Sequence, residues 1–121
     1  MARIAETAVG DERLQVFVTV PDFETAEQIG RRVLEVGLAA CVQVLGPIVS
    51  TYRWQGRVEQ SREWLCLLKT NRTRYAELEQ AIITMHPYEV PEVICVPITA
   101  GYQGYLNWFD AALAGTDTDK C

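Results

Sequence analysis

The stretch CVQVLGPIVSTYRWQGRVEQSREWLCLLKT, residues 41–70, decides the fold of this chain. Its first arm is rich in Val, Ile, Thr and Tyr, and its second arm ends in a run of apolar residues. Between the arms, Gln55-Gly56 supplies a two-residue turn, because glycine takes positive φ without a Cβ penalty. This pattern predicts one long β-hairpin.

The predicted hairpin is long for a chain of 121 residues. Its second arm, residues 57–70, would extend about 45 Å, whereas a compact chain of this length has a diameter of about 35 Å. The overhang carries Tyr52 and Trp54, and large aromatic side chains on an unpaired edge favour association. We therefore expect a neighbouring copy to cover the hairpin. The alternative is that the kink signal Gly46-Pro47 folds the hairpin back over its own core.

The rest of the chain carries alternating strand and helix signals. Asp22 and Asn71 are good helix N-caps, and apolar residues recur at helical spacing after each of them. Outside the hairpin we expect a strand at 14–20, helices at 23–36 and 72–85, a strand at 92–99 and a short helix at 102–113. Pro97 lacks an N–H, which places the last strand at a sheet edge or at a bulge.

The order β-α-β-β-α-β predicts an α+β, ferredoxin-like fold with an additional C-terminal helix. Both main helices should pack on one face of an antiparallel sheet. A single domain at 13–114 fits the chain length, with flexible segments expected at 1–12 and 115–121.

Composition excludes several classes of function. Apolar residues make up 49% of the chain and charged residues 22%, as in ordinary soluble domains. The net charge of −5 argues against nucleic acid as a partner, and no apolar run is long enough to span a membrane. There is no secretory signal at the N-terminus, which predicts a cytoplasmic location. The cysteines form no C-x-x-C pair and are expected to be buried thiols: Cys41, Cys66, Cys95 and Cys121.

The most unusual short segment is HPYEVPE, residues 86–92, in which two prolines fix the backbone around a phenol and a carboxylate. It can be a stiff connector whose His86 caps the preceding helix. It can also present His86 as a metal ligand, with Glu89, Glu92, a cysteine brought near by folding or a neighbouring chain supplying the others. Lys69 follows an apolar run and is either a binding group or an edge residue. No nucleophile–base pair is evident, so we do not predict an enzyme.

Several motifs in order resemble the CutA-type divalent-cation-tolerance proteins. They are AACV, the S-x-Y-x-W-x-G hairpin tip, LKT, HPYEVPE and Y-L-x-W, and they span about residues 14–113. The resemblance implies a cytoplasmic, very stable homotrimer that is similar in assembly to the PII signalling proteins. It also implies a role in tolerance to copper or other divalent metals, which some members bind.

The resemblance implies a metal site and a cleft between subunits. At the positions of the family's copper ligands this chain has Val18, Met85 and His86, of which only His86 is a good ligand. The implied inter-subunit cleft contains His86 together with Tyr52, Trp54, Glu63, Lys69, Tyr88, Glu89 and Tyr105. Two rival functions remain, a PII-like sensor of a small molecule in these clefts and a trimeric scaffold for a protein partner.

Overall fold

Four strands and three helices follow one another within residues 12–116, the part of the chain that this computed structural model describes. They are β1 (Arg13–Val20), α1 (Phe23–Glu35), β2 (Cys41–Trp54), β3 (Arg57–Asn71), α2 (Arg72–Met85), β4 (Val93–Pro97) and α3 (Gln103–Ala114). The predicted β-α-β-β-α-β order with an extra C-terminal helix is confirmed.

The predicted flexible ends lie mostly outside the described residues, and the described ends are bonded. Glu12 accepts a hydrogen bond from the backbone N–H of Arg72 at 2.9 Å and forms an ion pair with its side chain. At the other end, Gly115 takes a φ of 77° and Thr116 donates its N–H to Ala111 O at 2.8 Å, which closes α3.

The strands form one antiparallel sheet in the order β2-β3-β1-β4. β4 is therefore an edge strand, as Pro97 predicted. It is shorter than the predicted 92–99, because pairing with β1 ends at Leu14 opposite Pro97. One further bond follows, from Ile98 N–H to Arg13 O at 2.9 Å.

Both predicted helix caps are present. Asp22 accepts a hydrogen bond from Thr25 N–H at 2.7 Å, and Asn71 accepts one from Arg74 N–H at 3.0 Å. Each cap residue has an extended backbone, so its side chain reaches the first free N–H groups of the helix. The helices begin where short polar side chains precede the apolar periodicity.

The core lies between the sheet and the two helices α1 and α2. Even-numbered residues of β1 enter it, including the fully buried Val16 and Val18. They pack with Ile29 of α1 and Leu78 of α2, which confirms that both helices cover the same face. α3 buries a face of its own, contacts β3, and is joined to β1 by a 2.8 Å ion pair between Arg13 and Asp110.

The opposite face of the sheet is also apolar. Side chains alternate along a strand, and directly paired residues lie on the same face of the sheet. The odd-numbered residues of β1 lie on the face away from the core, and so do the residues of β3 and β4 that pair with them. The residues of β2 that pair with those of β3 share this face. These exposed or half-buried side chains, which we call the open sheet face, are Phe17, Leu45, Leu65, Leu67, Ile94 and Val96.

The hairpin continues beyond this sheet. Gln55 and Gly56 have φ values of 50° and 78°, the two positive angles that a tight type I′ turn requires. At Gly46-Pro47 the pairing of β2 and β3 shifts register and then continues to the turn. The distal part keeps its pairing and leaves Val49 and Trp54 exposed, so Gly46-Pro47 does not fold the hairpin back over the core.

None of the helices within residues 12–116 is both long and apolar enough to cross a membrane.

Candidate functional site

The segment at 86–92 holds its histidine in a specific tautomer. His86 follows α2 with an extended backbone, as its position before Pro87 requires. The Tyr88 backbone N–H donates to His86 Nδ1 at 3.1 Å, so the ring proton lies on Nε2. Nε2 then donates to the carbonyl oxygen of Thr19 in β1 at 2.7 Å. Both ring nitrogens of this buried imidazole therefore have partners within the chain.

The expectation that His86 caps α2 is correct only for its backbone. The His86 backbone N–H reaches Ile83 O at 3.3 Å. Its imidazole bonds to β1 and to the connector, and it does not bond to the carbonyl groups that end the helix. The side chain thus joins the 86–92 segment to the sheet.

A second bond joins the same segment to the hairpin. The Tyr88 hydroxyl donates to the carboxylate of Glu63, on β3, at 2.8 Å. Burial raises the pKa of the Tyr88 hydroxyl above its ordinary 10.0, and the Glu63 carboxylate raises it further, so Tyr88 stays a donor at neutral pH. Glu63 is only 6% exposed.

A cleft of about 820 Å³ opens between the distal hairpin and the 86–92 segment. One wall carries side chains of the distal hairpin, most of them on the same side as the open sheet face, and the other wall is residues 88–92. The lining residues are Thr19, Ser50, Thr51, Tyr52, Trp54, Glu59, Glu63, Tyr88, Glu89, Val90 and Glu92.

The lining has one sign of charge. It contains four glutamates, three aromatic rings and no Lys, Arg or His. Arg57 at the turn comes within 3.8 Å of Glu59 but is itself exposed, and such surface pairs contribute at most about 1 kcal/mol. A cleft of this composition attracts cations and repels anions.

Five of the eight predicted cleft residues line this cleft, namely Tyr52, Trp54, Glu63, Tyr88 and Glu89. His86 lies behind the lining, where it bonds to Thr19, and the other two lie elsewhere in the chain. Lys69 donates to Gln43 at 2.9 Å on the open side of the sheet, and the ring of Tyr105 packs against Trp108 at 5.6 Å. That a neighbouring copy brings them to the cleft stays a prediction.

Two charged lining residues were not in the predicted cleft, although the sequence contained a signal for one of them. Glu59 lies four residues before Glu63 on β3, and even spacing along a strand places both on the same face. Glu92 follows the second proline of the rigid segment, and its place on the opposite wall depends on the path of that segment, which periodicity does not report.

The positions at which the resemblance implied copper ligands do not form a site within one chain. Val18 is fully buried in the core, and Met85 packs against that core. Within residues 12–116, no three His, Cys, Asp or Glu side chains come together in a way that could hold a metal ion.

Comparison with known proteins identifies the family. The family model of the CutA1 divalent ion tolerance protein matches residues 14–112. A divalent-cation tolerance protein CutA of Thermus thermophilus is 41% identical over 93 residues, which cover 77% of this chain and 90% of the relative.

Solved structures agree with this match. CutA of Xylella fastidiosa superimposes with a TM-score of 0.82 at 38% identity and covers 85% of this chain and 99% of its own. A CutA of Archaeoglobus fulgidus, described as a periplasmic divalent cation tolerance protein, gives a TM-score of 0.80 at 35% identity, over 84% of this chain and 98% of that one. The chain belongs to the CutA1 divalent ion tolerance protein family.

Proposed function

We propose that this chain is a homotrimeric divalent-cation-tolerance protein that binds divalent metal ions in its acidic cleft, with each site completed by a neighbouring subunit. The observation that carries the proposal is the lining of the cleft, which has four glutamates and no basic side chain. The proposed role is binding and not catalysis, and the family is named for tolerance and not for a reaction.

The surface of one chain supports the assembly. The open sheet face places six apolar side chains opposite the helices, and on the other side of the distal hairpin Val49 and Val58 are 65% and 69% exposed. A contiguous apolar surface such as the open sheet face mostly marks an interface. Burial against identical copies in a closed ring would also cover the long edge strand β2.

The choice of metal follows from the donor atoms. Carboxylate oxygens suit Mg²⁺, Ca²⁺ and Mn²⁺, whereas copper favours imidazole and thiolate. We propose Glu63 and Glu89, one on each wall of the cleft, as the carboxylate ligands. His86 remains the candidate nitrogen ligand for copper, and it could bind copper through Nδ1 only after releasing the Tyr88 N–H.

The cleft gives less support to a sensor of small anions. An anion in it would meet the glutamates without a compensating cation, because Lys69 is bonded to Gln43 outside the lining. A cytoplasmic location is proposed from the resemblance, although the relative from Archaeoglobus fulgidus is described as periplasmic.

Titration calorimetry with MnCl₂ and CuSO₄, next to sedimentation velocity, tests both parts of the proposal. Glu63→Gln and Glu89→Gln should each weaken Mn²⁺ binding, whereas Glu77→Gln, an equal charge change on the exposed side of α2, should not. His86→Ala tests the copper site separately. Equal metal binding in all variants would overturn the site, and a monomer at micromolar concentration would overturn the trimer.

A further inference from the structure

Glu63 carries a buried charge that the described part of the chain does not neutralise. Its side chain is 6% exposed, and its hydrogen-bond partner is the neutral hydroxyl of Tyr88. No ion pair joins Glu63 to a Lys, Arg or His within residues 12–116. Because a carboxylate taken out of water is costly unless a positive charge compensates it, this position favours a bound cation.

The negative charges are too far apart for a single metal ion to use them all. Glu59 and Glu63 lie on the same side of β3, and four residues of extended chain span about 13 Å. Glu89 and Glu92 lie on the opposite wall. A divalent ion contacts its oxygen ligands at about 2.0–2.6 Å, so it would satisfy one end of the cleft and leave the other end negative. A cation with separated charges would reach both ends of the cleft.

The aromatic residues supply a surface for one charged end of such a cation. Tyr52 is paired directly with Glu59 across the hairpin, and Trp54 follows two residues later on the same side. Aromatic faces attract ammonium groups within about 6 Å of the ring centre and also pack against methylene groups. The cleft volume of about 820 Å³ lies in the range of small-molecule sites.

We infer that this cleft binds a linear aliphatic polyamine, with one ammonium group at Glu63, a second between Glu59 and the ring of Tyr52, and the methylene chain between them along the hairpin past Ser50. The inference rests on the proposed function in one respect, that the cleft takes cations. It differs in the ligand, which is an elongated organic cation that competes with divalent metal ions for the same carboxylates.

Titration calorimetry of the full chain with spermidine tests the inference. Glu63→Gln should weaken spermidine binding by about tenfold or more, as expected for the loss of a charged hydrogen bond. Glu89→Gln replaces an exposed side chain and so tests the cleft without disturbing a buried group. Glu77→Gln is the matched control and should leave the affinity within about twofold, as expected for an exposed charge far from the ligand.

Ligand length gives a second measurement. A diamine with eight methylene groups should bind more tightly than octylamine, which has one charge and the same number of carbon atoms. Equal affinity for the two compounds, or no change in Glu63→Gln and Glu89→Gln, would overturn the inference. So would absence of spermidine binding, the result expected if a neighbouring subunit fills the cleft.

The outcomes separate this inference from the metal proposal. Mn²⁺ binding that depends on Glu63, without spermidine binding, overturns the polyamine and supports the metal. Spermidine binding that depends on Glu63, without Mn²⁺ binding, does the reverse. Loss of both overturns a cation site in this cleft.

Discussion

Replacing Tyr88 by phenylalanine should destabilise the folded chain through one missing oxygen atom. The ring, which lies 4.7 Å from the His86 ring, is retained, and so is the backbone bond from Tyr88 N–H to His86 Nδ1. What is lost is the 2.8 Å bond to Glu63, whose side chain is 6% exposed. The variant therefore removes the partner of a buried carboxylate and changes little else.

The magnitude follows from the charge of the acceptor. A hydrogen bond to a charged group contributes about 1.5–3 kcal/mol, and an unsatisfied buried acceptor adds a desolvation cost. We expect Tyr88→Phe to lower the free energy of unfolding by about 2 kcal/mol. Glu63→Gln keeps an acceptor but removes the charge. The double variant should show a coupling energy of about 1 kcal/mol, because the two side chains form one interaction.

Guanidinium unfolding followed by tryptophan fluorescence measures these differences, with all variants at the same concentration because assembly shifts apparent stability. Tyr102→Phe is the control, since that ring is 82% exposed and lies outside the cleft. A loss for Tyr88→Phe no larger than that of the control, or a coupling energy within about 0.3 kcal/mol of zero, would refute the reasoning.

Three further predictions concern the frame that holds the cleft. Asn71→Ala should lower the free energy of unfolding by about 1 kcal/mol in the guanidinium assay, because it removes the cap on Arg74 N–H. Asn71→Gly should lower it by less, and equal losses for the two variants would contradict a capping role. Leu68→Ala should cost about 2–5 kcal/mol by opening a cavity in the core, where Leu68 is fully buried, and a loss below 1 kcal/mol by chemical denaturation would contradict close packing there. Burial raises the pKa of the Cys66 thiol from 9.0 to about 11, so its stabilising contribution is complete below pH 9 and is lost as the pH rises towards 11, by up to about 3 kcal/mol. Cys66→Ala should reduce the loss of unfolding free energy between pH 9 and pH 11. An unchanged loss in this variant would exclude the thiol as its cause.

Local chemistry explains why most of the fold could be predicted from the sequence. Asp22 and Asn71 mark the helix starts because their short polar side chains bond to free N–H groups nearby. Gln55-Gly56 marks the hairpin turn because the turn needs two positive φ angles. Pro97 marks an edge because it cannot donate to a neighbouring strand. Each signal acts within a few residues, so no knowledge of the assembled chain is required.

The cleft was only partly predictable because it joins segments that are distant in the sequence. Glu63 and Tyr88 are 25 residues apart and meet because α2 returns the chain to β1, where His86 binds Thr19. Lys69 was expected in the same cleft as Glu63 on β3, but six residues of extended chain separate them by about 20 Å. Residue type alone does not report that separation.

The Gly46-Pro47 signal has a consequence that its sequence did not reveal. Leu45 pairs with Leu65 and Ile48 pairs with Glu63, so β2 advances by three residues while β3 advances by two. This extra residue reverses the alternation of β2: odd residues lie on the open side before the bulge, and even residues lie there after it. An unbroken β2 would therefore have placed the even-numbered Tyr52 and Trp54 on the opposite side of the hairpin from Glu59 and Glu63. Because β3 is uninterrupted, its glutamates keep their face, and the bulge brings the aromatic rings to the same wall. The acidic and aromatic character of the cleft thus depends on one inserted residue in an edge strand.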